Sequence, residues 1–364
     1  MLATAEAFAQ SHPGVRIEWE GRALQDFADR PLEQLAKRYD LILLDHPFVG
    51  TAAAQKFLLP LDEHLTKYVL ATLESESAGA SHQSYFYNGH QWALAVDGAA
   101  QVAAYRPDLL KGARVQLPRT WEEVRELADV QQGFVTLPLL PVDALICFFS
   151  LCANMGEAPF SLDPGKVVTE EIGTLALERL KALAALSLPE SLGWNPIAVW
   201  ERMSTTDEIA YCPLGFGYSN YARPGYRKSV VLFTNIPSHG HGGPAGSTLG
   251  GAGLAISAEC RDVPAALEYV QWIAGAECQR SLYFQSGGQP ANRRAWTDPE
   301  VNRMSNGFFE STLPTLQQAY LRPRFHRFVE LQTAASHVVS DFLKDKADVN
   351  STLRLLDGLY QKFR

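Results

Sequence analysis

The run Leu41-Ile42-Leu43-Leu44, framed by Asp40 and Asp45, is the tightest constraint in this chain. Four consecutive apolar residues without polar alternation read as a strand covered on both faces, as in the parallel sheet of an α/β protein. The surroundings agree. Residues 2–11 read as a helix with Leu2, Ala5, Phe8 and Ala9 on one face, stopped by His12-Pro13-Gly14. Val15, Ile17 and Trp19 alternate with polar residues and predict a strand, and residues 31–38 predict a short helix. Helix, strand, helix, strand at this spacing is α/β wiring, and 364 residues suffice for two domains of ~150 residues each.

The pattern then tightens. Strands are predicted at 85–87, 91–96 and 101–105, with turns at Asn88-Gly89 and Asp97-Gly98. A second α/β stretch opens at Thr120, an N-cap whose capping box is completed by Glu123. Helices are expected near 121–131, 142–155, 170–187 and 196–203, and strands at 134–137, 208–212 and 229–234. A glycine-rich loop over 237–253 leads to a strand at 254–257 and helices at 262–275 and 276–285. From Pro314 to Arg364 two or three amphipathic helices are predicted.

Charge and hydropathy exclude several classes. Asp and Glu number 40 against 32 Lys and Arg, a net charge of −8 without a basic block, so the footprint of a nucleic-acid binder is lacking. The longest apolar stretch, 144–153, is about half the ~20 residues needed to span a bilayer, and reads as a buried helix. The N-terminal residues have no basic segment and Glu6 interrupts any apolar one. No signal peptide is therefore expected in the chain as it stands, and the protein is either cytoplasmic or preceded by a signal further upstream. The odd set Cys147, Cys152, Cys212, Cys260 and Cys278, without a CxxC pair, reads as core thiols with at most one disulfide.

Catalytic motifs are missing. No lysine precedes Ser247-Thr248 to reach a phosphate, Gly251-Ala252-Gly253 opens a strand instead of a helix, and Tyr221 stands where GxSxG needs its second glycine. There is no HExxH, and His239 and His241 have no acidic or thiol partner nearby in sequence, which suits a solvated loop better than a metal. No cofactor is expected. Asp45 and Asp97 each end a predicted strand; they suit a glycosidase pair, or two acceptors for a polar ligand.

In linear order the chain resembles the extracellular solute-binding proteins of ABC importers, the carbohydrate-binding kind related to maltose-binding protein. The resemblance rests on Ala7-Phe8 with His12-Pro13-Gly14-Val15, Tyr39-Asp40-Leu41-Ile42 leading to Asp45, and Leu58-Leu59-Pro60-Leu61-Asp62. It continues through Trp92-Ala93-Leu94-Ala95-Val96-Asp97, Ala104-Tyr105-Arg106-Pro107-Asp108 and Pro118-Arg119-Thr120-Trp121. Gly250-Gly251-Ala252-Gly253-Leu254, Gly287-Gly288-Gln289-Pro290 and Leu321-Arg322-Pro323 complete it. It implies a two-lobe α/β periplasmic-binding-protein fold with a hinge and an interlobe ligand cleft. Lobe one would comprise 1–104 and 252–308, lobe two 105–251 and 309–364.

The resemblance further implies a non-enzymatic, cofactor-free protein that hands a carbohydrate or polyol to a membrane permease. Such a protein is a likeness to periplasmic or extracytoplasmic monomers that do not bind nucleic acid. A sugar needs flat aromatics for its C–H faces and acceptors for its hydroxyls, which selects Trp92, Tyr218 and Tyr221 with Asp45, His46, Asp97, Gln101, Ser219 and Asn220. Gly250 and Gly251 either admit backbone amides to a ligand or form the hinge turn. Other readings stay open at this point. A polyamine would need converging acidic residues, and an organic acid could use Arg223, Arg227 or His46. A cytoplasmic glycoside-cleaving enzyme could use Asp45 and Asp97, and a truncated relative would have no transport role. The family normally has a central strand before its first helix, whereas this chain begins inside that helix. The 41–44 strand is therefore expected to lose a neighbour and leave backbone groups unpaired.

Overall fold

The computed structural model describes residues 1–21, 32–161, 165–240 and 243–364. Seven strands are assigned among them: β1 (Leu41–Leu44), β2 (Phe86–Tyr87), β3 (His90–Gln91), β4 (Leu94–Tyr105), β5 (Tyr211–Phe216), β6 (Leu232–Thr234) and β7 (Leu249–Ile256). The chain forms two compact units. Unit one is Met1–Gly98, Gly250–Val301 and Arg324–His326; unit two is Ala99–Leu249, Asn302–Pro323 and Arg327–Arg364. The chain passes from one to the other within β4 and again within β7.

In unit one the first helix, Leu2–Ser11, buries Thr4, Ala5 and Phe8 and ends at His12, whose backbone N–H donates to Phe8 O at 3.0 Å. β1 pairs with β7 from Leu41↔Ile256 to Leu44↔Gly253. The pair is antiparallel, which corrects the parallel arrangement expected from the apolar run. Such a run reports burial on two faces and carries no information on strand direction. Ile42 and Leu44 join a core with Val49, Tyr85 and Trp92, whereas Leu41 and Leu43 pack on a second core around Phe8, Tyr269 and Ile273. Val15, Ile17 and Trp19 also lean on that second core, in the expected alternation. They form no ladder among the described residues, so the strand predicted there is an extended segment instead. Of the predicted helix at 31–38, Leu32–Arg38 is observed and residue 31 lies outside the described residues.

The Asn88-Gly89 turn is present, with φ of 52° and 87°, and joins β2 to β3. The turn predicted at Asp97-Gly98 is not: both residues lie inside the continuous strand β4. Gly98 serves a close approach there, since a Cβ would meet Pro290 O at 2.9 Å and Ala291 Cα at 3.1 Å. The Gly98 N–H donates to Gln289 O at 3.1 Å, the Gln289 side-chain amide donates to Gly98 O at 3.0 Å, and Asp97 bridges Pro290.

In unit two, β4 pairs with β5 (Gln101↔Phe216 to Tyr105↔Tyr211) and with β6 (Ala103↔Thr234 to Tyr105↔Leu232), both antiparallel. The predicted strand 208–212 is displaced to Tyr211–Phe216. Pro213 argues against a strand continuing there, but it falls in the register break opposite Val102–Ala104, where no ladder bond is required of it. Gly215 admits the Trp200 ring, 2.7 Å from the position of a Cβ. Residues 134–137 meet β5 at the parallel bridge Val135↔Tyr211 and are assigned no strand among the described residues.

The capping box at Thr120 and Glu123 starts the helix Trp121–Ala128. Helix Pro141–Asn154 is buried from Asp143 to Cys152 and packs on Phe328–Leu343, which in turn packs on Val349–Phe363. The C-terminal helices begin earlier than predicted, because Phe308–Gln317 runs through Pro314. Burial of Phe308, Phe309, Thr312, Thr315 and Leu316 on one face outweighs the proline's missing N–H. No helix among the described residues is long and apolar enough to cross a membrane.

Candidate functional site

Unit one holds Asp45, His46, Trp92, Asp97, Gly250 and Gly251. Asp45 follows the carboxyl end of β1 and caps the turn His46–Phe48: its carboxylate accepts the His46 N–H at 2.8 Å and lies 3.0 Å from Nδ1 of the same residue. His46 is fully buried, edge-on to Tyr85, while the Asp45 side chain keeps 31 % of its exposure. Trp92 is core: its indole N–H donates to Tyr87 O at 2.9 Å and its ring packs with Ile42 and Leu44.

Asp97 lies in β4 and is half-buried. Desolvation of its carboxyl pushes its pKa up to about 7, against the lowering effect of a backbone hydrogen bond from Gln289. Gly251, at φ +105°, sits where any side chain is strained, and Gly250 precedes it in β7.

Unit two holds Gln101, Tyr218, Ser219, Asn220 and Tyr221. Gln101 is wholly buried and its amide is engaged on both sides. Ser150 Oγ donates to Oε1 at 2.6 Å, and Nε2 approaches Cys147 Sγ at 3.4 Å. Tyr218 leads into the tight turn Ser219–Ala222, in which Ser219 and Tyr221 are buried and Tyr218 and Asn220 half-buried. The preceding Gly217 is required by packing, since a Cβ would fall 2.7 Å from Val102 and 3.0 Å from the Phe308 ring.

A clasp that the sequence does not reveal pins this turn. Tyr221 donates its hydroxyl to Glu201 at 2.6 Å, and Arg227 donates to the same carboxylate from Nε and from its terminal nitrogen at 2.7–3.0 Å. The Arg227 hydrogen bond is the main reason the Glu201 carboxyl is held below its ordinary value. The Arg227 guanidinium also lies over the Tyr226 ring at 4.3 Å.

Asp143 is the residue most easily missed. In sequence it reads as the polar border of an apolar run, yet it is 5 % exposed. Among the described residues no hydrogen bond or ion pair reaches its carboxylate, and desolvation raises its pKa to about 7. It lies in the first turn of Pro141–Asn154, just after the segment that runs parallel to β5. Asp143 and the 218–222 turn thus lie downstream of the two segments joined by the parallel bridge Val135↔Tyr211.

Metal chemistry finds no cluster: among the described residues no three His, Cys, Asp or Glu side chains converge. His239 lies 3.2 Å from Arg179, and His241 is outside the described residues. All five cysteines are free, four of them buried.

Residues 1–280 match the bacterial extracellular solute-binding protein family. Solved structures share the fold over nearly the full length. A ribitol complex of an ABC transporter solute-binding protein from Agrobacterium radiobacter is 21 % identical, with a TM-score of 0.84, covering 100 % of this chain and 95 % of that one. Maltose-bound MalE3 of T. maritima is 18 % identical, also with a TM-score of 0.84, covering 99 % and 95 %. A D-mannitol complex of an ABC transporter solute-binding protein from Agrobacterium vitis is 16 % identical, with a TM-score of 0.80, covering 100 % and 94 %. The glycosidase reading of Asp45 and Asp97 is set aside with these matches, because the family binds solutes and does not transform them. With more than half its length matched and the α/β binding-protein fold throughout, the chain belongs to the bacterial extracellular solute-binding proteins.

Proposed function

We propose that the protein binds a carbohydrate or polyol outside the cytoplasm and delivers it, as a monomer, to the membrane permease of an ABC importer. The observation that carries this reading is the ligand set of the similar structures, which hold ribitol, maltose and D-mannitol. The chemistry of the candidate residues supports it. Asp45 and Asp97 in unit one, and Asp143 in unit two, are carboxyl groups able to accept hydrogen bonds from hydroxyls, and Tyr218 and Asn220 sit partly exposed on a pinned turn. Arg227, which an organic acid could have used, is committed to Glu201.

A thermal-shift screen of the full chain against mono- and disaccharides, polyols, polyamines and organic acids tests the proposal. Ligand at about 100 times its Kd stabilises a binder by roughly 2.7 kcal/mol, a shift of several degrees. A selective shift with sugars or polyols is expected. A shift only with polyamines or organic acids, or none with any class, overturns it.

A further inference from the structure

Residues 324–326 are an excursion of the chain. The segments on either side, Asn302–Pro323 and Arg327–Arg364, belong to unit two, and these three residues return to unit one between them. The side chain of Arg324 fastens them there. Its Nη1 donates to the main-chain carbonyls of Gln83 at 2.8 Å, Ser84 at 3.1 Å and Phe86 at 3.0 Å. These carbonyls belong to the tight turn Gln83–Tyr85 and to the residue that ends it. Burial pushes the pKa of the guanidinium down, and it is main-chain carbonyls that compensate the buried charge.

The backbone of the same residues is wedged as closely. Gly50 is buried in the first turn of the helix Val49–Gln55, and a Cβ there would fall on the Arg324 carbonyl oxygen and 2.7 Å from the Phe325 carbonyl carbon. The glycine serves close approach, since its φ is not positive.

Both contacts lead to Asp45. The helix Val49–Gln55 continues directly from the turn His46–Phe48 that Asp45 caps, so the wedge at Gly50 fixes the far end of that turn. On the near side, Tyr85 sits in the turn that Arg324 holds. Its hydroxyl donates to Leu44 O at 3.3 Å, and its ring lies edge-on to His46 with the centroids 6.4 Å apart. The chain is thus held before Asp45, at Leu44, and after it, at Gly50, and each hold leads back to Arg324.

We propose that Arg324 is a positioning residue for solute binding, which acts through the Asp45–His46 turn by fixing the direction in which the Asp45 carboxylate is presented. This role rests on the reading of Asp45 as an acceptor for the solute. A turn that is already ordered spends no binding free energy on ordering, so its release is read as lost affinity.

Two measurements on the full chain, with Arg324→Ala and Arg324→Lys, test it. Hydrogen exchange is read at the His46 and Val49 amides, which donate to the Asp45 carboxylate and to His46 O. It should be at least tenfold faster in Arg324→Ala and slowed again in Arg324→Lys, which keeps a charged donor. Exchange across the β4–β5 ladder of unit two should not change, which separates local release from general loss of stability. Calorimetry uses whichever of ribitol, D-mannitol and maltose binds the parent. Arg324→Ala should weaken binding at least tenfold in the parent and have no further effect in Asp45→Ala, where nothing is left for it to position. Unchanged exchange at His46 and Val49, faster exchange at the β4–β5 ladder as well, unchanged affinity, or equal losses in both backgrounds overturns the proposal. A parent that binds none of the three solutes counts against the solute reading and not against Arg324. Exchange at His46 and Val49 then decides alone whether Arg324 holds the turn.

Discussion

Tyr221 donates its hydroxyl to Glu201 at 2.6 Å, so the turn that follows β5 is tied to the helix Pro196–Thr205 and not left to its own conformation. A hydrogen bond to a charged acceptor is worth about 1.5–3 kcal/mol when buried, and less here because the Glu201 side chain is 37 % exposed. Tyr221→Phe should lower stability by about 1 kcal/mol in urea unfolding. If Tyr221 acts only as a clasp, solute affinity measured by calorimetry stays within a few-fold of the parent. A loss of two orders of magnitude would place the hydroxyl on the ligand instead.

The buried carboxyl of Asp143 sets a pH dependence of stability. Its pKa in the folded protein, about 7, is above the ordinary value of 3.8, so the folded state holds the proton more tightly than the unfolded chain. Its contribution is fully present below about pH 4 and is lost as pH rises through about 7. Asp143→Asn removes the charge that burial opposes, and should stabilise the protein at pH 8 by roughly 1–3 kcal/mol relative to its effect at pH 5. Parallel pH–stability curves for variant and parent would show that the carboxyl is solvated.

Asp97 titrates in the same window, and a ligand should move it. Hydroxyls donating to the carboxylate favour its charged form, so the solute-bound pKa lies below the free value of about 7. Affinity for the solute found in the thermal-shift screen should therefore rise between pH 6 and pH 8. Asp97→Ala should weaken binding by roughly 1.5–3 kcal/mol and flatten that dependence. Unchanged affinity in Asp97→Ala removes the residue from the site.

Gly253 tests the packing beneath Asp45. A Cβ there would lie 2.6 Å from the Tyr85 ring, whose hydroxyl donates to Leu44 O at 3.3 Å. Gly253→Ala must displace that ring and should cost about 1–3 kcal/mol. In Tyr85→Leu the same alanine should cost clearly less, since the two positions share one volume. Equal penalties in both backgrounds would mean that the backbone, and not the ring, resists the methyl group.

Periodicity and capping chemistry are local, and they were enough to specify most of this protein by sequence. The helices Leu2–Ser11, Trp121–Ala128, Pro141–Asn154 and Glu170–Leu186 lie close to where their apolar stripes and N-caps predict, and the Asn88-Gly89 turn forms as its residues require. The order of the short motifs was likewise enough to indicate the family and its α/β fold. What only the tertiary structure decided depends on partners distant in the chain. Leu41–Leu44 reads identically whether its neighbour runs parallel or antiparallel, because side-chain burial does not encode strand direction. Val15 to Trp19 has the alternation of a strand, but among the described residues no second backbone forms a ladder with it. Asp97-Gly98 has the composition of a turn, yet Pro290 and Ala291 press so close that the glycine serves approach and the chain runs straight. Asp143 and the Glu201–Arg227 clasp escape a linear reading for the same reason: desolvation and ion pairing are properties of what surrounds a side chain, and residues far along the chain supply those surroundings.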